Sequence, residues 1–285
     1  MWYRSLFGAG VLGAGFAAAL ALSAVPAAAH DQSRYPDWKG LWKRAPGTGI
    51  VWDESKPRGL PQKPPLTPEY QAIWEASLAD QAAGGQGGDT RVTCRPNGMP
   101  RMATPVRPMG FFIQDDMTII VYDNNIPRWI YTDGRDFPKD GEPSYAGYSI
   151  GRWLDTDGDG RFDTLEVETR QFKGPRIYDD SGLPLHYDNE SVIKERLSLD
   201  KANPNILLNE ITTYDHALTE PWTIVKHYHR VPPPVEFHED LCAEENMHVQ
   251  IGKEGYFLSG DGYLMPTKKN QPPPDLRYFQ QTKAK

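Results

Sequence analysis

The stretch Ser191-Val192-Ile193-Lys194-Glu195-Arg196-Leu197-Ser198-Leu199 decides the fold class. Val192, Lys194 and Arg196 fall on one side and Ile193, Glu195 and Leu197 on the other, the period of two expected of a half-buried strand. Toward the C-terminus, Ile206 to Tyr214 and Pro221 to Val231 read the same way. Toward the N-terminus, strands are expected at Phe111 to Ile113, Met117 to Tyr122, Arg128 to Tyr131, Tyr148 to Trp153 and Leu165 to Thr169, with turn residues between them. About eight strands at hairpin spacing predict a mostly β, antiparallel barrel or sandwich. One N-terminal helix is expected: Thr67 is a cap, Pro68 suits the first turn, and Tyr70, Ile73, Trp74 and Leu78 recur at helical spacing before Ala83-Gly84. Gly84 to Asp89 then reads as a flexible link.

Between two of these strands lies Asp155-Thr156-Asp157-Gly158-Asp159-Gly160-Arg161-Phe162-Asp163-Thr164-Leu165-Glu166. Oxygen ligands stand at positions 1, 3, 5, 7, 9 and 12 of a calcium loop, with glycine at the sharp sixth position. Asp155, Asp157 and Asp159, the Arg161 carbonyl, a water held by Asp163 and a bidentate Glu166 are the expected donors to Ca²⁺. The flanks alternate like strands, so the ion is expected to close a hairpin tip. A sensor needs a pair of helices that open on binding, which these flanks do not offer.

Met1-Trp2-Tyr3-Arg4, the apolar run Leu6 to Leu22 and Ala27-Ala28-Ala29 before His30 have the order of an export signal with its cleavage site. Export to the periplasm or beyond is expected, with no stable membrane anchor once the leader is removed. Two cysteines, Cys94 and Cys242, suit an oxidising compartment and are expected to pair. With a net charge of −7, the chain is a poor partner for nucleic acid. The expected organisation is a leader over 1–29, then an N-terminal strand, Pro/Gly-rich wrap and helix over 30–109. A barrel region over 110–265 and a Pro-rich tail over 266–285 complete a single mature domain.

Gly40-Leu41-Trp42, Cys94-Arg95-Pro96-Asn97-Gly98-Met99-Pro100-Arg101, Tyr131-Thr132-Asp133-Gly134-Arg135, Ser149-Ile150-Gly151-Arg152-Trp153, Asp163 to Thr169, Glu195-Arg196 and Pro221-Trp222-Thr223 span most of the mature chain. Together they resemble a large family of exported bacterial proteins of unassigned activity. The resemblance implies an antiparallel, lipocalin-like barrel and carries no catalytic residues with it. The acidic loop departs from the family pattern, which joins these two strands by a tight turn, so calcium is expected to be particular to this branch.

A barrel mouth is the default place for one small molecule, and the aromatic share of 11% favours a hydrophobic or aromatic ligand, with Trp129, Trp153 and Trp222 as candidate lining. Each of these side chains can equally serve as core. His186-Tyr187-Asp188-Asn189-Glu190 and Tyr214-Asp215-His216 lie in turns beside strands, so His186 with Asp188, and His216 with Asp215, are candidate acid–base pairs. They suit a metal-independent lyase, isomerase or hydrolase, or else are two ordinary polar turns. His227 and His229 leave one face of a strand and, with an N-terminal His30, form a candidate copper site. No Gly-x-Ser-x-Gly elbow, Ser-x-x-Lys pair or phosphate-binding glycine loop occurs, which argues against covalent and nucleotide chemistry.

Overall fold

The computed structural model describes residues 30–44, 64–105, 107–234, 236, 242 and 247–275. The expected leader, most of the Pro/Gly-rich wrap and the end of the tail lie outside these residues.

Nine strands close into a barrel: β1 (Leu41–Arg44), β2 (Met109–Ile113), β3 (Met117–Tyr122), β4 (Arg128–Tyr131), β5 (Tyr148–Leu154), β6 (Thr164–Arg170), β7 (Val192–Leu199), β8 (Ile206–Tyr214) and β9 (Trp222–Arg230). The chain is mostly β with one α-helix among the described residues, as its alternation predicts, and the barrel is chosen over the sandwich. Neighbours pair in chain order and β9 returns to β1 through Trp42 opposite Arg230. One pair departs from the antiparallel expectation: β4 and β5 run parallel, with Ile130 opposite Ser149. A closed ring with an odd number of strands cannot alternate direction throughout, so the ninth strand forces one parallel step. A parallel step needs a crossover of about a dozen residues or more, which segment 132–147 supplies.

The register sorts side chains as the sequence predicts. On β7, Ile193, Glu195 and Leu197 point inward while Lys194 and Arg196 are exposed. Leu165, Val167, Ile193, Leu197, Leu207, Ile211, Ile224 and Ile130 fill the interior. At its centre sits an ion pair. Arg128 donates through Nη1 to Glu195 Oε1 at 3.1 Å and through Nη2 to Glu195 Oε2 and to Thr169 Oγ1 at 2.8 Å. Its Nε reaches Ser149 Oγ at 3.2 Å, and Asn209 Nδ2 donates to Glu195 Oε1 at 2.9 Å. Burial pulls Arg128 toward the neutral form, but Glu195 outweighs it and raises its pKa, so the pair is held charged.

Trp38, Tyr35, Trp153, Phe162 and Phe111 meet edge-on or tilted, with ring centres 4.9–5.3 Å apart in successive contacts, and form an aromatic cluster at the start of the barrel chain. Arg230 ties this cluster's backbone to the sheet by donating to the Lys39 and Asp37 carbonyls.

Helix α1 (Pro68–Ala82) begins where predicted, with Thr67 Oγ1 accepting from Tyr70 N. Its buried face is Tyr70, Trp74 and Ser77, whereas Ile73 and Leu78 are exposed. Trp74 Nε1 donates to Ser181 Oγ and Ser77 Oγ to the Ser181 carbonyl, so the helix is fixed to the 179–182 turn by polar contacts. Gly182 makes this approach possible: its φ is +77°, and a Cβ there would stand 2.2 Å from Ser77 Oγ. The expected flexible link after the helix is instead held to it, since Gly87 N donates to Asp80 Oδ2 and Gly88 N to Ser77 Oγ.

The barrel ends at Arg230, short of the expected boundary. Residues His248–Pro266 make a separate antiparallel sheet of β10 (His248–Ile251), β11 (Glu254–Leu258) and β12 (Leu264–Pro266). Lys268 in the tail bridges Asp80 of α1 at 2.8 Å and Glu254 at 2.9 Å. Cys94 and Cys242 are joined across 148 positions, with Cα atoms 5.5 Å apart. A loop of that length stabilises the fold by about 5 kcal/mol in the chain-entropy picture. No helix among the described residues is long and apolar enough to cross a membrane.

Candidate functional site

The two His-bearing turns meet. His186 Nδ1 lies 2.7 Å and His216 Nδ1 2.6 Å from the same Asp188 oxygen, Oδ2. The convergence follows from the β7–β8 hairpin, whose register sets Val192 opposite Tyr214. Continuing that antiparallel register past the strand ends brings the residues before β7 beside those after β8. The hairpin was legible in the sequence, so its extension is the signal that finds this site.

The pairing differs from the expected one in a single respect. Asp188 serves both imidazoles, and Asp215 serves two backbone N–H groups and a hydroxyl: its Oδ1 accepts from His186 N and Ala217 N at 2.9 Å each, and its Oδ2 from Ser191 Oγ. An aspartate one residue before a turn folds back on nearby N–H groups, and the local geometry claims Asp215 in this way. Asp215 therefore fixes the backbone at His186 and Ala217, and among the described residues no hydrogen bond links it to either ring.

Burial works to raise the Asp188 pKa, but the Glu190 N–H on Oδ1 and the two imidazoles outweigh it and hold the carboxyl at about 2. The Asp188 hydrogen bond in turn raises the pKa of His216. His216 is 64% exposed and His186 only 18%, so His216 is the ring that meets solvent. His186 is wedged between Tyr187, stacked at 4.3 Å between ring centres, and Tyr70 of α1 at 5.2 Å. Tyr70 OH accepts from Tyr187 N at 3.3 Å. No sequence pattern links Tyr70 to His186, since the helix reaches the turn only through the tertiary fold.

Tyr70 and Tyr187 also line a groove of about 480 Å³ with Ile73, Leu185, Pro184 and Arg176. Ile73 and Tyr187 are exposed there; His186, Asp188 and His216 do not line the groove, which adjoins them through Tyr70 and Tyr187. The ligand-type atoms of His186, Asp188 and His216 lie within 4.8 Å of one another, so the group can also hold a metal ion. His227 and His229 share a face as expected, but no third His, Cys, Asp or Glu completes a cluster with them among the described residues.

The three candidate tryptophans do not surround a common space. Trp129 stands outward on β4 and is 48% exposed, because the inward positions on that strand belong to Arg128 and Ile130. Trp153 packs in the aromatic cluster against Trp38, and Trp222 in the core against Tyr178 at 4.7 Å. The barrel interior is occupied by its own side chains and by the Arg128–Glu195 pair.

In the acidic loop, Asp155, Asp157 and Asp159 converge within the same 4.8 Å limit. Asp155 also accepts from Gly158 N, Asp159 N and Gly160 N, and Asp163 Oδ2 accepts from Thr156 N and Oγ1. Glu166, the expected twelfth-position ligand, lies on β6 and pairs with Arg152 and Arg196 on the flanking strands. The cause is the pleat: position 12 falls inside a strand, and its side chain follows the outer face of the barrel rather than the loop.

No family model, curated protein or solved structure matches the chain.

Proposed function

We propose that the protein is an exported barrel enzyme that transfers protons on a small hydrophobic or aromatic molecule through the His186, Asp188, His216 site. The observation that carries the reading is the pair of Nδ1 atoms 2.7 and 2.6 Å from one Asp188 oxygen. His216 is the acid–base group, its exposed ring free to face the substrate. Asp188 is its positioning residue, fixing the ring orientation and favouring the imidazolium. The groove beside Tyr70, Ile73 and Tyr187 supplies the apolar surface on which such a molecule docks. The disulfide fits an oxidising compartment, which agrees with export by the leader at 1–29.

The test is turnover of a panel of aryl esters and α,β-unsaturated ketones. His216→Ala is expected to lose about 10²–10⁴-fold, the usual range for a general acid or base, while circular dichroism stays unchanged. Equal turnover by wild type and His216→Ala overturns the reading. A second reading rests on the three convergent ligand atoms, which form a two-histidine, one-carboxylate set suited to a divalent transition metal. Activity that disappears on chelation and returns with Zn²⁺ selects it. Calcium enters the proposal as a weak stabilising ion at Asp155, Asp157 and Asp159.

A further inference from the structure

A second cavity, of about 410 Å³, shares Asp89 and Val92 with the groove beside Tyr70 and Tyr187, and none of His186, Asp188 and His216 lines it. Its walls come from distant parts of the chain: Arg44 at the end of β1, Asp89 and Arg91 around the turn before Cys94, Asn97 and Arg101 beyond it, and Asp179 from the turn that holds α1. Its size falls within the range of about 300–1,000 Å³ that holds small molecules.

Three carboxylates, of Asp89, Asp179 and Asp180, line the cavity together with three guanidinium groups, of Arg44, Arg91 and Arg101. Asp89 answers one of them, with Arg101 Nη1 at 2.6 Å and Nη2 at 3.2 Å from its two oxygens. No hydrogen bond or ion pair holds the side chain of Arg44 or Arg91 among the described residues. The cavity also holds the opposite chemistry. Asp179 and Asn97 each keep a side-chain oxygen, Oδ2 and Oδ1, with no hydrogen-bond partner among the described residues. Asp179 is itself 6% exposed and fixed by Ser181, whose N and Oγ both donate to its Oδ1. Buried acceptors are ordinarily satisfied, and a set of them beside uncommitted arginines is the composition of a polar ligand site.

From this composition we infer that the cavity binds a small anion that also carries hydroxyl groups, of the sugar-acid type. Arg44 and Arg91 take the carboxylate in the forked geometry that guanidinium groups favour, and Asp179 and Asn97 accept from the hydroxyls. The disulfide is part of the site. Arg91 lies in the turn that ends at Cys94, whose N–H donates to the Arg91 carbonyl at 2.8 Å, and Cys242 Sγ packs 3.7 Å from that same carbonyl while lining the cavity. The bridge thereby fixes the backbone that presents Arg91.

Calorimetric titration of the intact, oxidised protein with glucuronate, glucose and acetate tests the assignment. Glucuronate is expected to bind at least about tenfold more tightly than glucose or acetate, because each of those offers only one half of the chemistry. Arg91→Gln and Arg44→Gln are each expected to weaken glucuronate binding by about tenfold or more, and Arg91→Lys by less, since it keeps the charge and loses the fork. The two arginines sit on separate elements, so a folding defect in one variant leaves the other as the test, with thermal melting of the free proteins as the control. Reduction of the disulfide in protein that remains folded is expected to weaken binding as Arg91→Gln does. Absence of glucuronate binding at about 10 mM, equal affinity for acetate, or undiminished affinity in both glutamine variants overturns the inference.

Discussion

Replacing Glu195 by alanine tests the claim that the barrel is organised around a charged centre. The Glu195 side chain has no solvent exposure, and it accepts from both Arg128 terminal nitrogens and from Asn209 Nδ2. Its removal leaves the Arg128 guanidinium buried among neutral partners, the Ser149 and Thr169 hydroxyls and the Tyr122 phenol, a change worth about 3–5 kcal/mol for a broken buried pair. For a domain of this size, each kcal/mol moves the melting temperature by about 2–4 °C, so the expected fall is about 6–20 °C. The double variant Arg128→Met, Glu195→Leu removes both charges and fills the space. Ser149 and Thr169 still bond each other at 2.9 Å, and Asn209 Nδ2 is left without Glu195. One unsatisfied buried donor is worth about 1–3 kcal/mol, so the double variant is expected to be more stable than Glu195→Ala alone. Urea unfolding of the wild type, Arg128→Met, Glu195→Leu and the double variant closes the cycle and gives the coupling directly. A loss below about 1 kcal/mol in Glu195→Ala, or a double variant as damaged as both single losses added together, refutes the reasoning.

Three further outcomes follow from particular residues. NMR titration of the His216 ring is expected to give a pKa above the usual histidine value, returning toward it in Asp188→Asn; an unmoved value removes Asp188 as its positioning residue. Because a raised imidazole pKa favours the folded state below the unfolded value, this contribution is lost as pH climbs through the folded pKa, and Asp188→Asn should flatten that part of the stability profile. Burial pushes the Asp179 carboxyl up to about 6, so its contribution is fully present below about pH 4 and is lost as pH rises through 6. Asp179→Asn is therefore expected to gain stability at pH 7 relative to pH 4, by about 3 kcal/mol at most, and an equal effect at both pH values would count against the buried charge. Calcium at about 10 mM, acting on a site of about 1 mM affinity, is expected to add about 1.4 kcal/mol, or about 3–6 °C. Asp157→Ala should abolish the shift, and a shift of the same size in that variant excludes the loop.

The period-two alternation of Ile193, Glu195 and Leu197 against Lys194 and Arg196 is a local property, and it determined β7, its inward face and, with its neighbours, the mostly β class, with barrel and sandwich both open. The Thr67-Pro68 start of α1 and the Cys94–Cys242 pair were legible for similar reasons, one from backbone capping and one from a count of two thiols. Tertiary structure decided what depends on closure and distance. The parallel β4–β5 step arises only when nine strands close a ring, and no single strand encodes it. Glu166 matched a calcium loop by spacing, yet pairing with β5 and β7 gave it to Arg152 and Arg196. Trp129 had the composition of a pocket residue, and the pleat turned it outward. His186, Asp188 and His216 were visible as residue types in two turns, but their meeting depends on the β7–β8 register, and the tyrosine beside them arrives from a helix more than a hundred positions earlier. Local sequence sets backbone periodicity and side-chain direction. Which charges meet is set by strand pairing, whose hydrogen bonds join residues that the linear order keeps apart.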